Sequence, residues 1–101
     1  MSTRTETTSE GTIRITTAKG DLTGKQDQLM AADEGRPVGK ARCTQRLRFS
    51  EAAPPREIST VLLCWRTSDE RSVVTLAVSR EGKPSAAAST EVISREWTRL
   101  G

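Results

Sequence analysis

The chain concentrates its hydrophobic residues in one stretch, residues 58–80, which reads ISTVLLCWRTSDERSVVTLAVSR. An unbroken apolar run from Val61 to Trp65 is followed by the turn-prone residues SDER, and a second apolar run begins at Val73. Two runs rich in β-branched residues, separated by a short polar segment, predict a β-hairpin. Because the first run is apolar on both faces, we expect its strand to lie in the centre of a sheet.

A further strand is predicted directly upstream, over residues 41–49 (ARCTQRLRF), where apolar and basic side chains alternate. Residues 50–57, SEAAPPRE, contain two prolines and are expected to form a surface loop between the two strands. The natural closure pairs Phe49 with Ile58. In that register Leu47 lies opposite Thr60, Gln45 opposite Leu62, and Cys43 opposite Cys64.

The same register brings together the only two cysteines of the chain, Cys43 and Cys64. A disulfide between them closes a loop of about 22 residues and stabilises the fold by roughly 3 kcal/mol in the chain-entropy model. The alternative is a pair of buried thiols. No histidine is present, so we expect no metal site. A disulfide would indicate an oxidising compartment and therefore export.

The N-terminal third carries weaker signals. Residues 1–10 are polar, rich in Thr and Ser, and predict a disordered tail, which leaves residues 11–101 as a single domain. Residues 11–17, GTIRITT, alternate in the manner of a half-buried edge strand. Thr23 and Gln26 match a capping box, so a short helix over residues 23–34 is a candidate.

The C-terminal segment, residues 85–100, predicts a helix, because three alanines are followed by one apolar stripe through Ile93 and Trp97. A strand over residues 86–93 is the alternative. We expect the helix to cover the sheet face that carries Trp65, with Trp97 as its neighbour. The predicted fold is α+β: a small antiparallel β-meander of three to four strands with a C-terminal helix packed on one face.

Basic residues supply the candidate binding site. Arg42, Arg46 and Arg48 are predicted to form a row on one strand face, and Arg66 and Arg80 would extend it if they lie nearby. Such a row suits an anion, an anionic lipid or an acidic partner. The alternative is a solvated strand protected by charge from aggregation. Nucleic acid is not expected as a partner, because no aromatic residue is interleaved with the arginines.

Catalysis is not indicated. Without histidine, Ser-His and Cys-His arrangements are excluded, and no glycine-rich phosphate-binding spacing is present. We therefore predict neither an enzyme nor a cofactor. The net charge of +3 falls short of the dense charge of a dedicated nucleic-acid binder.

The segment CTQRLRF, the later segment LLCWRTSDERSVVTLAV and the final helix together resemble the layout of small exported or lipid-anchored proteins of actinobacteria. The resemblance covers residues 38–100, implies export, and assigns no functional residue. The predicted function is a non-enzymatic extracytoplasmic binding or interaction module, secreted or anchored through a segment outside this sequence. Its partner would be a protein or an envelope component. The alternative is a cytoplasmic protein that binds nucleic acid or an acidic partner through the arginine row.

Overall fold

The computed structural model describes residues 2–20, 35–48, 54 and 56–100. The elements in this part of the chain are β1 (Ser2–Thr7), β2 (Gly11–Ala18), β3 (Arg36–Val38), β4 (Ala41–Thr44), β5 (Arg46–Leu47), β6 (Arg56–Glu57), β7 (Val61–Thr67), β8 (Ser72–Ser79) and α1 (Ala86–Leu100). The candidate helix over residues 23–34 lies outside the described residues. So does Phe49, and with it the predicted closing pair with Ile58.

Within the described residues, six strands form one antiparallel sheet in the order β1-β2-β8-β7-β4-β3, and β5 and β6 form a separate pair. The helix α1 packs against the large sheet. The α+β class is therefore confirmed, with more strands than the three to four expected. β7 lies between β4 and β8, which confirms its central position.

The β7–β8 hairpin forms as predicted, with Trp65 opposite Val74. Its turn is held by Ser68, whose backbone N–H donates to the Arg71 carbonyl at 2.8 Å. The Ser68 Oγ accepts hydrogen bonds from the backbone N–H groups of Glu70 and Arg71, both at 3.2 Å. Short polar side chains that bind neighbouring backbone groups in this way favour turns over continued strands.

The N-terminus differs from the expected disordered tail, because Ser2–Thr7 forms the strand β1 alongside β2. The turn between them is closed by Thr8, which donates its backbone N–H to the Gly11 carbonyl at 2.7 Å. A polar segment buries little by itself, but the threonines favour the extended conformation and β2 supplies a hydrogen-bonding partner. In consequence β2 is not the edge strand that the sequence predicted, since β1 covers its outer side.

The predicted pairing of the cysteine strands holds for three residues and then changes. Arg42, Cys43 and Thr44 lie opposite Trp65, Cys64 and Leu63, as expected. Beyond the bend at Gln45 the strand pairing shifts, so that residues 59–62 have no partner in this strand pair. Arg46 pairs with Glu57 and Leu47 with Arg56.

The predicted partners of Gln45 and Leu47, which were Leu62 and Thr60, are therefore wrong. The reason is side-chain competition with the ladder. The Gln45 Nε2 donates to the Ser59 carbonyl at 3.0 Å, and the Thr44 Oγ1 accepts the Arg46 N–H at 3.0 Å. These bonds stabilise a bend where a continuous strand was expected, and they place β6 inside the segment predicted as a loop.

The C-terminal segment is helical, and its first turn is capped by Ser85, whose Oγ accepts the Ala88 N–H at 3.1 Å. The buried stripe of α1 includes Val92, Ile93 and Trp97. This stripe packs on the cysteine face of the sheet, in a core cluster that consists of Ile13, Ile15, Ala41, Cys43, Leu62, Cys64, Val73, Ala77, Val92, Ile93 and Trp97.

The expectation that α1 covers Trp65 is therefore wrong. Trp65 lies on the opposite face with Leu47, Leu63 and Val74, and the two tryptophans belong to different clusters. Alternation along β7 places apolar residues on both faces, so the pattern did not indicate which face the helix would choose. On the chosen face the central strands carry small side chains (Cys64, Thr75 and Ala77), which leave room for a helix.

Trp65 is nevertheless buried, with 7% of its surface exposed. Gly35 contributes to this burial: it has a φ of +69°, and a Cβ at this position would lie 2.7 Å from the Trp65 Cη2 atom. Only glycine satisfies both the backbone conformation and the close approach to the ring.

Candidate functional site

The disulfide between Cys43 and Cys64 is present, with a Cα–Cα distance of 4.1 Å. The bond lies between β4 and β7, and the two residues are 1% and 0% exposed. At the start of the β7–β8 ladder, the Ser79 N–H donates to the Thr60 carbonyl at 2.9 Å. Every second residue of β7 bonds to β8 from this point, so Cys64 directs its backbone groups toward β8 and away from β4. This alternation places the cysteines at a non-hydrogen-bonded pair, where side chains lie closest. The predicted pairing is confirmed.

The five predicted arginines do not assemble into one row. Arg42 lies on the Trp65 face and donates from Nη1 to the Gly35 carbonyl at 3.1 Å, whereas Arg66 lies on the helix face. Arg46 and Arg48 follow the bend at Gln45 and are exposed. Arg80 follows β8, where its backbone N–H donates to the Glu10 carbonyl at 2.9 Å. Contact of any of these side chains with an anion stays a prediction.

Arg66 instead stacks on Trp97. Its guanidinium carbon lies 4.1 Å from the ring centroid, and that of Arg71 lies 4.6 Å from the same centroid. The Arg71 Nη1 also donates to the Trp97 carbonyl at 2.9 Å, a group in the last turn of α1 that has no partner within the helix. The two cations therefore attach the end of the helix to the β7–β8 hairpin.

The sequence alone does not single out Arg71. The signal available was its position at the turn of the hairpin, close in space to a helix predicted to pack on the same sheet. That signal depends on knowing which face the helix covers.

A second charged cluster joins β1 to α1. Glu96, which is 3% exposed, accepts from the Arg4 Nη1 at 2.6 Å and from the Arg99 Nη1 at 3.2 Å. Glu6 lies 3.0 Å from Arg4 and 3.1 Å from Arg95. The pairs Arg4–Glu96 and Glu6–Arg95 are about ninety residues apart in sequence. The sequence did not predict them, because residues 1–10 were expected to be disordered.

The arginines shift the acidity of both carboxyl groups. The hydrogen bond from Arg4 lowers the pKa of Glu96 below its usual value of 4.5, against the opposing effect of burial. The hydrogen bonds from Arg4 and Arg95 lower the pKa of Glu6 in the same direction. Hydrogen bonds to Glu96 and then Glu6 raise the pKa of Arg4. The cluster is thus fully ionised at neutral pH and holds β1 against the helix.

A cleft of about 630 Å³ is lined by Arg80 and Lys83 together with the acidic Glu10 and Glu81. Two further described clefts contain basic residues. One, of about 330 Å³, lies beside the disulfide and is lined by Arg36, Gln45, Arg46 and Glu57 among others. Within the described part of the chain, neither Arg36 nor Arg46 has an ion-pair partner within 4 Å. Guanidinium groups in a polar cleft suit a carboxylate or a phosphate group.

The other cleft, of about 150 Å³, lies between the β3–β4 turn and α1. Lys40 and Arg66 provide its positive charge, and Thr90 and Ser94 line the helix side. Arg66 is already stacked on Trp97, so of these two cations Lys40 is the one that remains for a ligand.

Two hydroxyl groups are buried between the sheet and the helix. The side-chain oxygens of Thr75 and Ser89 have no hydrogen-bond partner among the residues that the structure describes. Both residues are 0% exposed, so neither hydroxyl reaches a substrate from solvent in this conformation. Their position fits a role in packing.

Comparisons with protein-family models, with curated proteins and with solved structures found no match to this chain. In the part of the chain that the structure describes, no helix is long and apolar enough to cross a membrane.

Proposed function

We propose that this protein is a non-enzymatic interaction module of an extracytoplasmic compartment, stabilised by the bond between Cys43 and Cys64. The observation that carries the proposal is this disulfide, buried between the central strands and the helix. Structural disulfides form and persist in oxidising compartments and are rare in the cytosol. A small domain with few apolar residues also gains most from such a covalent connection.

The binding surface that we propose is the cleft beside the disulfide. Arg36 and Arg46 extend into it from β3 and β5, and the disulfide holds β4, which lies next to β3, in register with β7. Because the two exposed guanidinium groups are held on a rigid support, binding a partner costs less conformational entropy of the protein. The partner would be a protein or an envelope component that presents a carboxylate or a phosphate.

A non-enzymatic role is supported by the residue types available. The chain has no histidine, both cysteines are joined, and the two unpartnered hydroxyls are buried. Ser-His and Cys-His nucleophile–base pairs both need a histidine.

The alternative function is a cytoplasmic protein that binds nucleic acid or an acidic partner through the five predicted arginines. Those arginines lie on both faces of the sheet and in a loop, which provides no continuous cationic surface. Among the described residues no aromatic platform accompanies them, since Trp65 and Trp97 are both buried.

The experiment expresses the gene from its native locus, separates the cell fractions, and traps free thiols at once under denaturing, non-reducing conditions with a maleimide that shifts electrophoretic mobility. We expect the protein in the envelope or the medium, with no thiol available for labelling before reduction. Recovery from the cytosol with both thiols labelled would overturn the proposed compartment and favour the alternative.

A second arm of the same experiment measures binding of a fluorescent oligoglutamate peptide and of a DNA duplex to the purified protein. The variant Arg36→Ala/Arg46→Ala should bind the peptide less tightly, whereas the control Arg14→Ala, on an exposed position of β2, should not. A stronger response to the duplex, with affinity falling steeply as salt increases, would favour nucleic acid.

A further inference from the structure

The two edges of the sheet are built differently. β3 ends the sheet on one side with three residues, of which Pro37 has no backbone N–H, so its capacity to pair with another strand is small. β1 ends it on the other side with six residues and no proline. No described strand lies on the outer side of β1, which therefore presents an extended hydrogen-bonding edge.

The hydrogen-bond pattern shows which residues of β1 face outward. Thr8 donates its backbone N–H to the Gly11 carbonyl, so residues 8 and 11 form a hydrogen-bonded pair. Because such pairs alternate along an antiparallel ladder, Arg4 and Glu6 direct their backbone groups toward β2. Thr3, Thr5 and Thr7 direct theirs away from the sheet.

The sequence of this edge is complementary to itself. Around Thr5 the order is Thr-Arg-Thr-Glu-Thr, so a second copy that runs antiparallel places Arg4 opposite Glu6 and Glu6 opposite Arg4. In such a pair, the outward-facing residues of one copy must lie opposite the outward-facing residues of the other. This condition allows a two-fold axis at Thr3, Thr5 or Thr7, or at the inward-facing Arg4 or Glu6. Centring on Arg4 or Glu6 also matches the backbone groups, but it places identical charges opposite each other on the two-fold axis.

The two remaining registers are weaker. Centring on Thr3 or Thr7 shortens the paired segment and leaves at least one charged side chain without an opposite charge. The register with Thr5 at the centre pairs residues 3–7 of β1 and both charges at once. Cross-strand pairs of opposite charge stabilise a sheet, and like charges in direct opposition destabilise it.

We propose that β1 pairs with β1 of a second copy of this chain, with Thr5 on the two-fold axis, to form a continuous antiparallel sheet across a dimer. The interface is isologous, since the same strand is used by both copies. In this arrangement both helices lie on the same side of the joined sheet. Arg4 and Glu6, which already contact Arg95 and Glu96, then extend the charged cluster across the two-fold axis.

The experiment measures molar mass by light scattering over micromolar to millimolar concentrations. The chain has a mass of 11.0 kDa, and we expect an approximately twofold larger value at high concentration. A mass that stays at that of one chain over the whole range would overturn the proposal.

A backbone variant tests the edge itself. Thr5→Pro removes an outward N–H but no hydrogen bond to β2, so the monomer keeps its fold and the dimer is lost. Thr5→Val is the matched control, because it keeps the N–H and favours a strand. Circular dichroism checks that both variants are folded. Equal dimerisation of the two folded variants would place the interface elsewhere.

A charge exchange tests the register. Arg4→Glu alone and Glu6→Arg alone each oppose like charges across the axis, so each chain should remain a monomer. Mixed in equal amounts, the two variants again place a carboxylate opposite a guanidinium at both positions and should form a heterodimer. Failure of the mixture to associate, with both chains folded, would show that Arg4 and Glu6 do not meet across the interface.

Discussion

The two faces of the six-stranded sheet are stabilised in different ways. The helix face carries the disulfide, the stack of Arg66 and Arg71 on Trp97, and the ion cluster at Glu96. The opposite face has a smaller described cluster around Trp65, and it ends in Val78, which is 41% exposed. One face is thus buried against a helix that cation–π and ionic contacts hold in place, while Leu63, Trp65 and Val74 on the other face are buried without a helix among the described residues.

The largest expected effect tests whether the helix attachment dominates. Trp97→Ala removes a side chain that is 8% exposed and should destabilise the protein by about 3–5 kcal/mol. Trp65→Ala removes an equally buried ring on the opposite face, for which the described residues show no cation–π contact, and should cost about 1 kcal/mol less. Urea unfolding, followed by circular dichroism, measures both.

Equal losses for the two variants would mean that the arginine stack adds nothing to the burial of the ring. A smaller loss for Trp97→Ala than for Trp65→Ala would reverse the comparison between the two faces.

The next effect concerns the covalent connection. The variant Cys43→Ala/Cys64→Ala should lose roughly 3 kcal/mol, because the unfolded chain is no longer constrained by a closed loop. Reduction of the wild-type protein under denaturing conditions, followed by refolding with blocked thiols, should produce a loss in the same direction. Thermal unfolding in the presence and absence of reductant measures the difference, and a reductant-insensitive melting temperature in the wild type would contradict this prediction.

The smallest effect is electrostatic and depends on pH. The folded state lowers the pKa of Glu96 and Glu6 below 4.5, so the unfolded state binds protons more readily. Their stabilisation is therefore complete above the pKa of the unfolded chain and is lost as the pH falls through the folded-state pKa. Glu96→Gln should cost about 1–3 kcal/mol at neutral pH, and less in acid, because it leaves buried hydrogen bonds from arginines without a charged acceptor.

Denaturant unfolding at neutral and at acidic pH measures the free energy of unfolding for this comparison. Glu91→Gln, on the exposed side of the same helix, is the matched control and should unfold like the wild type. A loss for Glu96→Gln that is as large in acid as at neutral pH would show that its role is in packing alone.

The prediction from sequence succeeded where the information is local. The polar turn at Ser68 separates two apolar runs, and the hairpin joins residues that are between 5 and 17 positions apart. The cysteine pairing required one further step, a register between adjacent strands, and that register holds at Cys43. It fails from Gln45 onward, because side chains of Gln45 and Thr44 bind backbone groups that a continuous ladder would have used.

The candidate site was harder to predict. Arginines on one predicted strand were expected to share a face, but the bend at Gln45 separates Arg42 from Arg46. Arg66 lies on the face of the sheet that the helix covers. Arg36, which joins Arg46 in the cleft beside the disulfide, comes from a strand that the sequence did not indicate.

Periodicity, turn residues and helix propensity by themselves determined the α+β class, the central hairpin, the C-terminal helix and the partner of Cys43. Each depends on the free energy of short segments, which the residues within them largely set. Only the tertiary structure decided the face on which α1 packs, the strand formed by Ser2–Thr7 and the cluster around Glu96. The cluster around Glu96 joins residues from opposite ends of the chain, and the free energy of all three features depends on the packing of the whole sheet, which no short segment encodes.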